Sequence, residues 1–164
     1  MNNNNFSDLP EWEDERFKDD DDEGEEWKPD PTHDACAALY NKWQEIVFLL
    51  KGFLAPFLEK DKDEEGMMEF TAGQLMGDAW QVGAKIKSSE AAGIYIVRME
   101  NASIIRMLAQ GISSSLLMYL EETDADEQHV AVLRDEITAF RMLFIEWVTT
   151  FEKDEFTDEW GLFV

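Results

Sequence analysis

An apolar stripe near the C-terminus is the feature that most constrains the fold of this 164-residue chain. Its members alternate steps of three and four along the sequence: Val130, Leu133, Ile137, Phe140, Phe144, Trp147 and Phe151. This spacing places all of these side chains on one face of an α-helix. Such a face must be buried against another apolar element, so the rest of the chain has to provide its partners.

Three earlier stripes have the same spacing. The first contains Cys36, Leu39, Trp43, Ile46, Leu50, Phe53 and Phe57; the second contains Ala72, Leu75, Ala79, Val82 and Ile86; the third contains Ile94, Val97, Asn101, Ile104 and Leu108. Together the four stripes predict helices over residues 32–60, 71–88, 90–122 and 125–153. Because short connections make neighbouring helices antiparallel, we predict an all-α, antiparallel up-down four-helix bundle.

The boundary between the second and third helices is open to two interpretations. Ser89 can cap a new helix, whereas Glu90 and the two alanines after it favour a continuous helix. A single rod over residues 71–122 would be about 78 Å long and would favour a dimeric or swapped assembly. If there are two helices, the second is only about 27 Å long. We then expect it to leave a groove partly open.

Charge divides the chain into a bundle and two tails. Residues 1–30 contain 13 acidic and 3 basic residues and form an acidic N-terminal tail, residues 31–153 form the bundle, and residues 154–164 form an acidic, aromatic C-terminal tail. The net charge of −23 disfavours binding to nucleic-acid phosphates or to an anionic membrane surface. A protein partner that is basic, or that offers an apolar helix, fits this charge better.

Aromatic residues in both tails argue against disordered, fully solvated segments, which are poor in such residues. The N-terminal tail carries Trp12, Phe17 and Trp27, and we interpret it as an acidic strap with aromatic anchors. The C-terminal tail carries Trp160 and Phe163. We expect both tails to dock on this chain, on a second copy of it or on a partner.

The second helix offers a candidate surface for these rings. Gly73 and Gly77 lie about one turn apart and form a small-residue face, with Trp80 close by. Close packing between helices is the more common reason for such glycines, and docking of a tail is the alternative. A glycine inside a helix costs about 1 kcal/mol relative to alanine, so we expect some close contact to offset this cost.

The acidic segment after the first helix matches part of a calcium-binding loop. Asp61, Asp63 and Glu65 occupy positions 1, 3 and 5 of the EF-hand pattern. Position 12 of that pattern is a bidentate glutamate, and here it is Ala72. The sequence therefore predicts only weak, non-specific cation binding by these carboxylates, with no specific metal site and no cofactor.

Other polar side chains near the stripes have structural interpretations. His33 and His129 lie at the starts of helices that begin at opposite ends of the bundle, so they cannot share an ion. Asn101 lies on the third stripe with Glu100 beside it, and we predict that both are buried polar groups. We expect an arginine of the third or fourth helix to pair with Glu100. The only cysteine, Cys36, lies on the first stripe, which indicates a buried and inert thiol.

The sequence contains no recognisable catalytic constellation of the Ser-His-Asp or Cys-His type and no glycine-rich phosphate loop. We predict a non-enzymatic helical protein–protein interaction module, acting as an adaptor, a small chaperone or an inhibitor of a basic protein. An acidic mimic of DNA is one alternative, although it needs a regular double row of carboxylates that the sequence does not show. A small-molecule or metal-binding bundle is the other, although it lacks converging polar residues.

The expected location of the protein is the cytoplasm. The single cysteine provides no disulfide framework, and the N-terminus is polar and acidic, unlike a signal peptide. No apolar run approaches the ~20 residues that a membrane helix needs. The chain is also compatible with a homodimer.

Overall fold

The computed structural model of the protein describes residues 9–14, 29–58 and 66–163. These residues contain four α-helices: α1 (Pro31–Leu58), α2 (Met67–Ala92), α3 (Tyr95–Glu122) and α4 (Glu127–Thr149). Each helix packs against the next one along the chain, and α4 returns to pack against α1. No strand occurs in the described ranges.

Contacts between neighbouring helices run in opposite chain directions. Near the start of α1, the Cys36 thiol lies 3.6 Å from the carbonyl oxygen of Ile86, late in α2. Further along α1, the Trp43 indole donates to the carbonyl oxygen of Ala79, which is earlier in α2. The predicted all-α, antiparallel four-helix bundle is confirmed.

Apolar side chains of all four helices meet in one core. In α3 the core face differs from the predicted stripe: Ala102, Ile105, Ala109 and Ile112 belong to the core, whereas Ile94, Val97 and Ile104 are only half-buried outside it. The largest fully buried side chains of the core are Trp43, Trp147, Tyr40 and Tyr119. The ring of Trp43 packs against that of Phe140 with a centroid separation of 4.7 Å, which joins α1 to α4. Full burial of one large apolar side chain contributes about 1.5–3 kcal/mol, so this shared core, more than helix propensity, holds the helices together.

The second helix is longer than the sequence predicted. It spans Met67–Ala92, 26 residues, instead of residues 71–88. Gly66 precedes it with a left-handed backbone (φ 60°), and Thr71, at the predicted start of the helix, lies inside it and donates its hydroxyl to the carbonyl of Met67. The prediction of a short helix two, and of the open groove that it would leave, is therefore wrong. The helix extends at both ends beyond its apolar stripe, up to the left-handed glycines Gly66 and Gly93.

The second and third helices are separate, joined by a tight turn. Gly93 is left-handed (φ 65°) and Ile94 is extended, so the helix cannot continue through them. Ser89, the predicted cap of a third helix, is buried inside α2 and donates its hydroxyl to the carbonyl of Lys85. The third helix starts five residues later than predicted, at Tyr95 instead of residue 90.

Replacing Gly93 with alanine is expected to destabilise the protein, whereas replacing Gly111 is expected to stabilise it. An alanine at the left-handed Gly93 position costs about 1–2 kcal/mol. Gly111 lies inside α3 with no neighbouring atom within 4 Å of an added Cβ, so Gly111→Ala should gain about 1 kcal/mol in helix propensity. Urea unfolding of both variants measures the two free energies. A neutral or stabilising effect of Gly93→Ala would contradict a left-handed turn at this position, and a destabilising effect of Gly111→Ala would contradict open space around Gly111.

Candidate protein-interaction site

The N-terminal residues 9–14, which we call the strap, lie across the surface between α1 and α2. The carbonyl oxygen of Pro10 accepts hydrogen bonds from Tyr40 of α1 and from Lys87 of α2. The side chain of Leu9 covers Gly83, where an added Cβ would lie 2.7 Å from Leu9 Cδ2. The glycine therefore creates the space into which this leucine packs.

Trp12 lies on the α1 side of the strap and is half-buried. Its ring contacts those of His33 (5.7 Å between centroids) and Tyr40 (5.5 Å), and its indole N–H donates to Asp14. Two other predicted anchors of the N-terminal tail, Phe17 and Trp27, lie outside the described residues.

The small-residue face proposed on α2 is only partly used. Gly73 and Gly77 are exposed, and no described atom lies within 4 Å of a Cβ added at either position. Trp80 is half-buried beside Leu9 of the strap. The close approach of the strap thus occurs at Gly83, between one and two turns beyond Gly77 along α2.

Beneath the strap, the buried carboxylate of Glu90 pairs with His33. Glu90 is only 7% exposed, and its Oε1 lies 2.8 Å from His33 Nδ1. His33 Nε2 lies 3.2 Å from Asp14 of the strap, and the Arg98 guanidinium lies 4.0 Å from Glu90. Burial alone lowers the pKa of His33, but the hydrogen bonds and negative charges of Glu90 and Asp14 outweigh it and raise the pKa above its usual value.

Among the predicted buried polar residues, the structure separates Glu100 from Asn101. Asn101 is buried and its amide donates to the hydroxyl of Ser88 at 3.0 Å, which ties α3 to α2. Glu100 is exposed, so its predicted burial is wrong. The buried acid of this region is Glu90, which the sequence placed at the start of a third helix and the fold places at the end of α2.

The structure gives no grounds for a metal centre within the described ranges. His129 packs edge-on against Phe53 near the end of α1, far from His33 at its start. No group of three or more histidine, cysteine, aspartate or glutamate side chains is arranged to hold an ion there. The cation candidates Asp61, Asp63 and Glu65 lie outside the described residues.

An open groove runs along the seam between α3 and α4, and we call it the arginine groove. It has a volume of about 400 Å³ and an apolar floor formed by Ala109, Ile137, Phe140, Phe144 and Ile145. Arg106 of α3 and Arg141 of α4 line its edges. Both arginines are exposed, and neither makes an ion pair with a described residue.

The arginine groove was not predicted from the sequence, which suggested the arginines of the third and fourth helices as partners for Glu100. Glu100 is exposed in the structure. A usable signal was present, because Arg106 and Arg141 each flank an apolar stripe, and these two stripes belong to consecutive, antiparallel helices. Their shared position on one seam depends on the rotation of both helices, which the stripes define only approximately.

The C-terminal residues 158–163, which we call the C-terminal turn, form a compact loop held by one carboxylate. Asp158 accepts hydrogen bonds from the backbone N–H groups of Trp160, Leu162 and Phe163. The bonds from Phe163 and Trp160 are the main reason that the pKa of Asp158 lies below its usual value. Just before the turn, Asp154 accepts the N–H of Tyr95 at 2.7 Å and so caps α3.

Two of the three apolar side chains of this turn face solvent. Trp160 is 94% exposed and Leu162 is 73% exposed, while Phe163 is half-buried. The predicted docking of Trp160 on its own chain is therefore not seen, and docking on a second copy or on a partner stays a prediction.

No protein-family model, curated protein or solved structure matches this chain. Within the ranges that the structure describes, no helix has the length and apolarity required to cross a membrane.

Truncating Trp12 is expected to destabilise the bundle by releasing the strap. Because the ring is half-buried, we expect Trp12→Ala to cost about 2 kcal/mol, less than the cost at a fully buried aromatic. Phe48→Ala is the control, since Phe48 is a 77%-exposed aromatic of α1. Chemical unfolding measures both variants, and an unchanged stability of Trp12→Ala would show that the strap does not hold the fold.

The His33–Glu90 pair predicts a pH-dependent stability. Because the folded pKa of His33 is raised, its stabilising contribution is fully present below the unfolded value of about 6.5 and is lost as the pH rises through the folded pKa. The difference in unfolding free energy between the native protein and His33→Gln should therefore shrink as the pH rises from about 6.5 through the folded pKa. Glu90→Gln should largely remove this pH dependence. A difference that is the same at every pH would contradict the linkage.

Proposed function

We propose that this protein is a non-enzymatic, helical protein–protein interaction module whose arginine groove binds an apolar segment that carries acidic residues. One observation carries the proposal: Arg106 and Arg141 stand without ion-pair partners among the described residues, beside an apolar groove. The whole chain has only 14 basic residues against 37 acidic ones. Because no described acid pairs with these two arginines, their guanidinium groups are well suited to bind carboxylates of another molecule.

The floor of the groove supplies the apolar part of the interaction. Burial of apolar surface contributes about 25 cal/mol per Å², and the floor is open to a ligand along the seam. Met107 and Met142, on the same two helices, and Ile145 are large exposed apolar side chains. Of these three, Ile145 lines the groove itself. Methionine adapts its shape to different partners, so the two exposed methionines of the same helices suit contacts with a partner that extends beyond the groove.

The arginines supply orientation and specificity. A guanidinium binds a carboxylate through two parallel hydrogen bonds and also stacks on aromatic rings, which a lysine does less well. A segment with acids beside its apolar residues therefore gains two directed contacts in the groove. A segment with lysines in the same places meets like charges and loses affinity.

The local charge of the groove and the net charge of the chain act over different distances. The net charge of −23 attracts a basic protein at long range, but this attraction is screened beyond about 8 Å at physiological salt. The arginine groove acts at contact distance. A partner that is basic overall but binds through an acidic, apolar segment would be attracted by the net charge and would also fit the groove. Such a partner agrees with the basic partner predicted from composition.

The reactive groups of the described residues support a binding role over catalysis. Burial raises the pKa of the Cys36 thiol far above its usual value, and the negative charge of nearby Glu90 raises it further. A thiol that stays protonated is a poor nucleophile. His33 is engaged by Glu90 and Asp14 beneath the strap.

Two synthetic amphipathic peptides can test the proposal. Both carry the same tryptophan and leucine face, and they differ only in having glutamates or lysines beside it. We expect the glutamate peptide to bind more tightly to the full-length protein and to shift amide resonances around Ala109 and Ile137, because these residues form the groove floor. NMR titration measures both the affinity and the site.

The control variants separate local from overall charge. Arg141→Glu should weaken or reverse the preference for the glutamate peptide. Lys85→Glu changes the net charge equally but lies on α2, so it should leave the preference unchanged. Equal binding of both peptides, or shifts centred away from the groove, would contradict the proposal.

A further inference from the structure

We propose that the arginine groove of one copy binds the C-terminal turn of a second copy, with Trp160 inserted over the apolar floor. This inference rests on the proposed function, because it names the occupant of the same groove. Its starting observation is that this chain carries both an unpaired basic, apolar groove and an acidic, apolar segment whose largest side chain is 94% exposed.

The C-terminal turn is already shaped for binding before any partner is present. The Asp158 carboxylate accepts three backbone N–H groups, and Gly161 adopts a left-handed backbone (φ 67°) that closes the loop. These local bonds hold the backbone of the loop although the side chains of Trp160 and Leu162 face solvent. An ordered loop loses less conformational entropy on binding, so more of the contact energy appears as affinity.

The chemistry of the segment matches that of the groove. Residues 154–164 contain four acidic residues and no basic one: Asp154, Glu155, Asp158 and Glu159. Trp160 follows Glu159 directly, so an indole inserted over the groove floor brings a carboxylate to the edge where the arginines lie. Tryptophan and arginine are the residues that most often dominate binding energy at interfaces, and an arginine can also stack on the indole.

A second copy satisfies the geometry better than the same copy. The contact between Asp154 and the N–H of Tyr95 holds the segment at the start of α3. Arg106 lies eleven residues further along α3, about 16 Å away at 1.5 Å per residue. While the turn stays folded at this end of its own bundle, Trp160 is exposed to solvent instead of lying in the groove of the same chain. A symmetric pair uses each turn and each groove once and closes as a dimer.

Net charge sets the conditions for the test. Two chains of charge −23 repel each other at low ionic strength. At about 0.15 M salt, charges further apart than about 8 Å are largely screened, whereas contacts inside a partly buried groove are screened much less. Association is therefore measured at physiological salt.

Sedimentation velocity of the full-length chain over a range of concentrations tests the proposal. The expected result is a monomer–dimer equilibrium that Trp160→Ala and Arg141→Glu each weaken about 30-fold or more, as expected at a dominant interface residue. Trp160 and Arg141 are exposed, so their replacement leaves the bundle intact. Phe48→Ala, an exposed aromatic on α1, and Lys85→Glu are the matched controls and should dimerise like the native chain.

A charge exchange tests which surfaces meet. One full-length variant carries Arg106→Glu and Arg141→Glu, and the other carries Glu155→Lys and Glu159→Lys. Each variant alone is expected to be monomeric, because like charges meet at both of its contacts. The mixture is expected to form a mixed dimer, in which each groove meets a turn of opposite charge. Absence of the mixed dimer would overturn the proposal.

The remaining outcomes separate this inference from the proposed function. If the native chain stays monomeric while a peptide of residues 153–164 binds the groove of Trp160→Ala, the groove is an interaction site but its occupant is not a second copy. If that peptide fails to bind and the glutamate peptide also fails, both proposals are overturned. If Trp160→Ala dimerises as tightly as the native chain, the proposed exchange of C-terminal turns is overturned, and the proposed function of the groove is not affected.

Discussion

Trp43 is the residue at which three of the four helices are joined. Its indole N–H donates to the carbonyl oxygen of Ala79 in α2 at 2.8 Å, and its ring packs against Phe140 of α4. A buried indole N–H without a partner would cost free energy, so this bond also fixes the orientation of the ring. The position of α1 relative to both neighbours follows from these contacts. The surface between α1 and α2 that carries the strap depends on the same arrangement.

The two ends of the chain have similar compositions and different structural roles. The strap has partners on both helices beneath it, since Tyr40 and Lys87 donate to its backbone and Gly83 leaves room for Leu9. The C-terminal turn satisfies its own backbone through Asp158 and leaves Trp160 in solvent. A pattern of aromatic residues among acids therefore does not distinguish a docked segment from an exposed one. Docking also requires a complementary surface on the bundle, which the strap has between α1 and α2.

The least closely packed seam of the bundle carries the candidate site. Of the four pairs of neighbouring helices, α3 and α4 have the least extensive contact, and the arginine groove lies along their seam. The other three seams are closed by large side chains or by long-range hydrogen bonds, such as that from Asn101 to Ser88 between α3 and α2. An open seam with an apolar floor leaves surface available for another chain, and Arg106 and Arg141 restrict which chain binds well.

The sequence by itself determined the four helices and their antiparallel bundle, because the spacing of apolar residues is a local property of each segment. It also identified Asn101 and Cys36 as residues of the apolar stripes, and both are buried. The limits of α2 could be estimated only roughly, since the left-handed conformations of Gly66 and Gly93 follow from where the connected helices pack.

Only the tertiary structure decided which charged residues are buried and which surface stays open. Glu90 rather than Glu100 is the buried acid, because the turn at Gly93 places Glu90 at the end of α2 against His33. Arg106 and Arg141 come together because α3 and α4 are rotated so that their apolar faces are buried in the core, and both arginines then line the same seam. These outcomes depend on contacts between residues far apart in the chain, which local patterns of sequence do not specify.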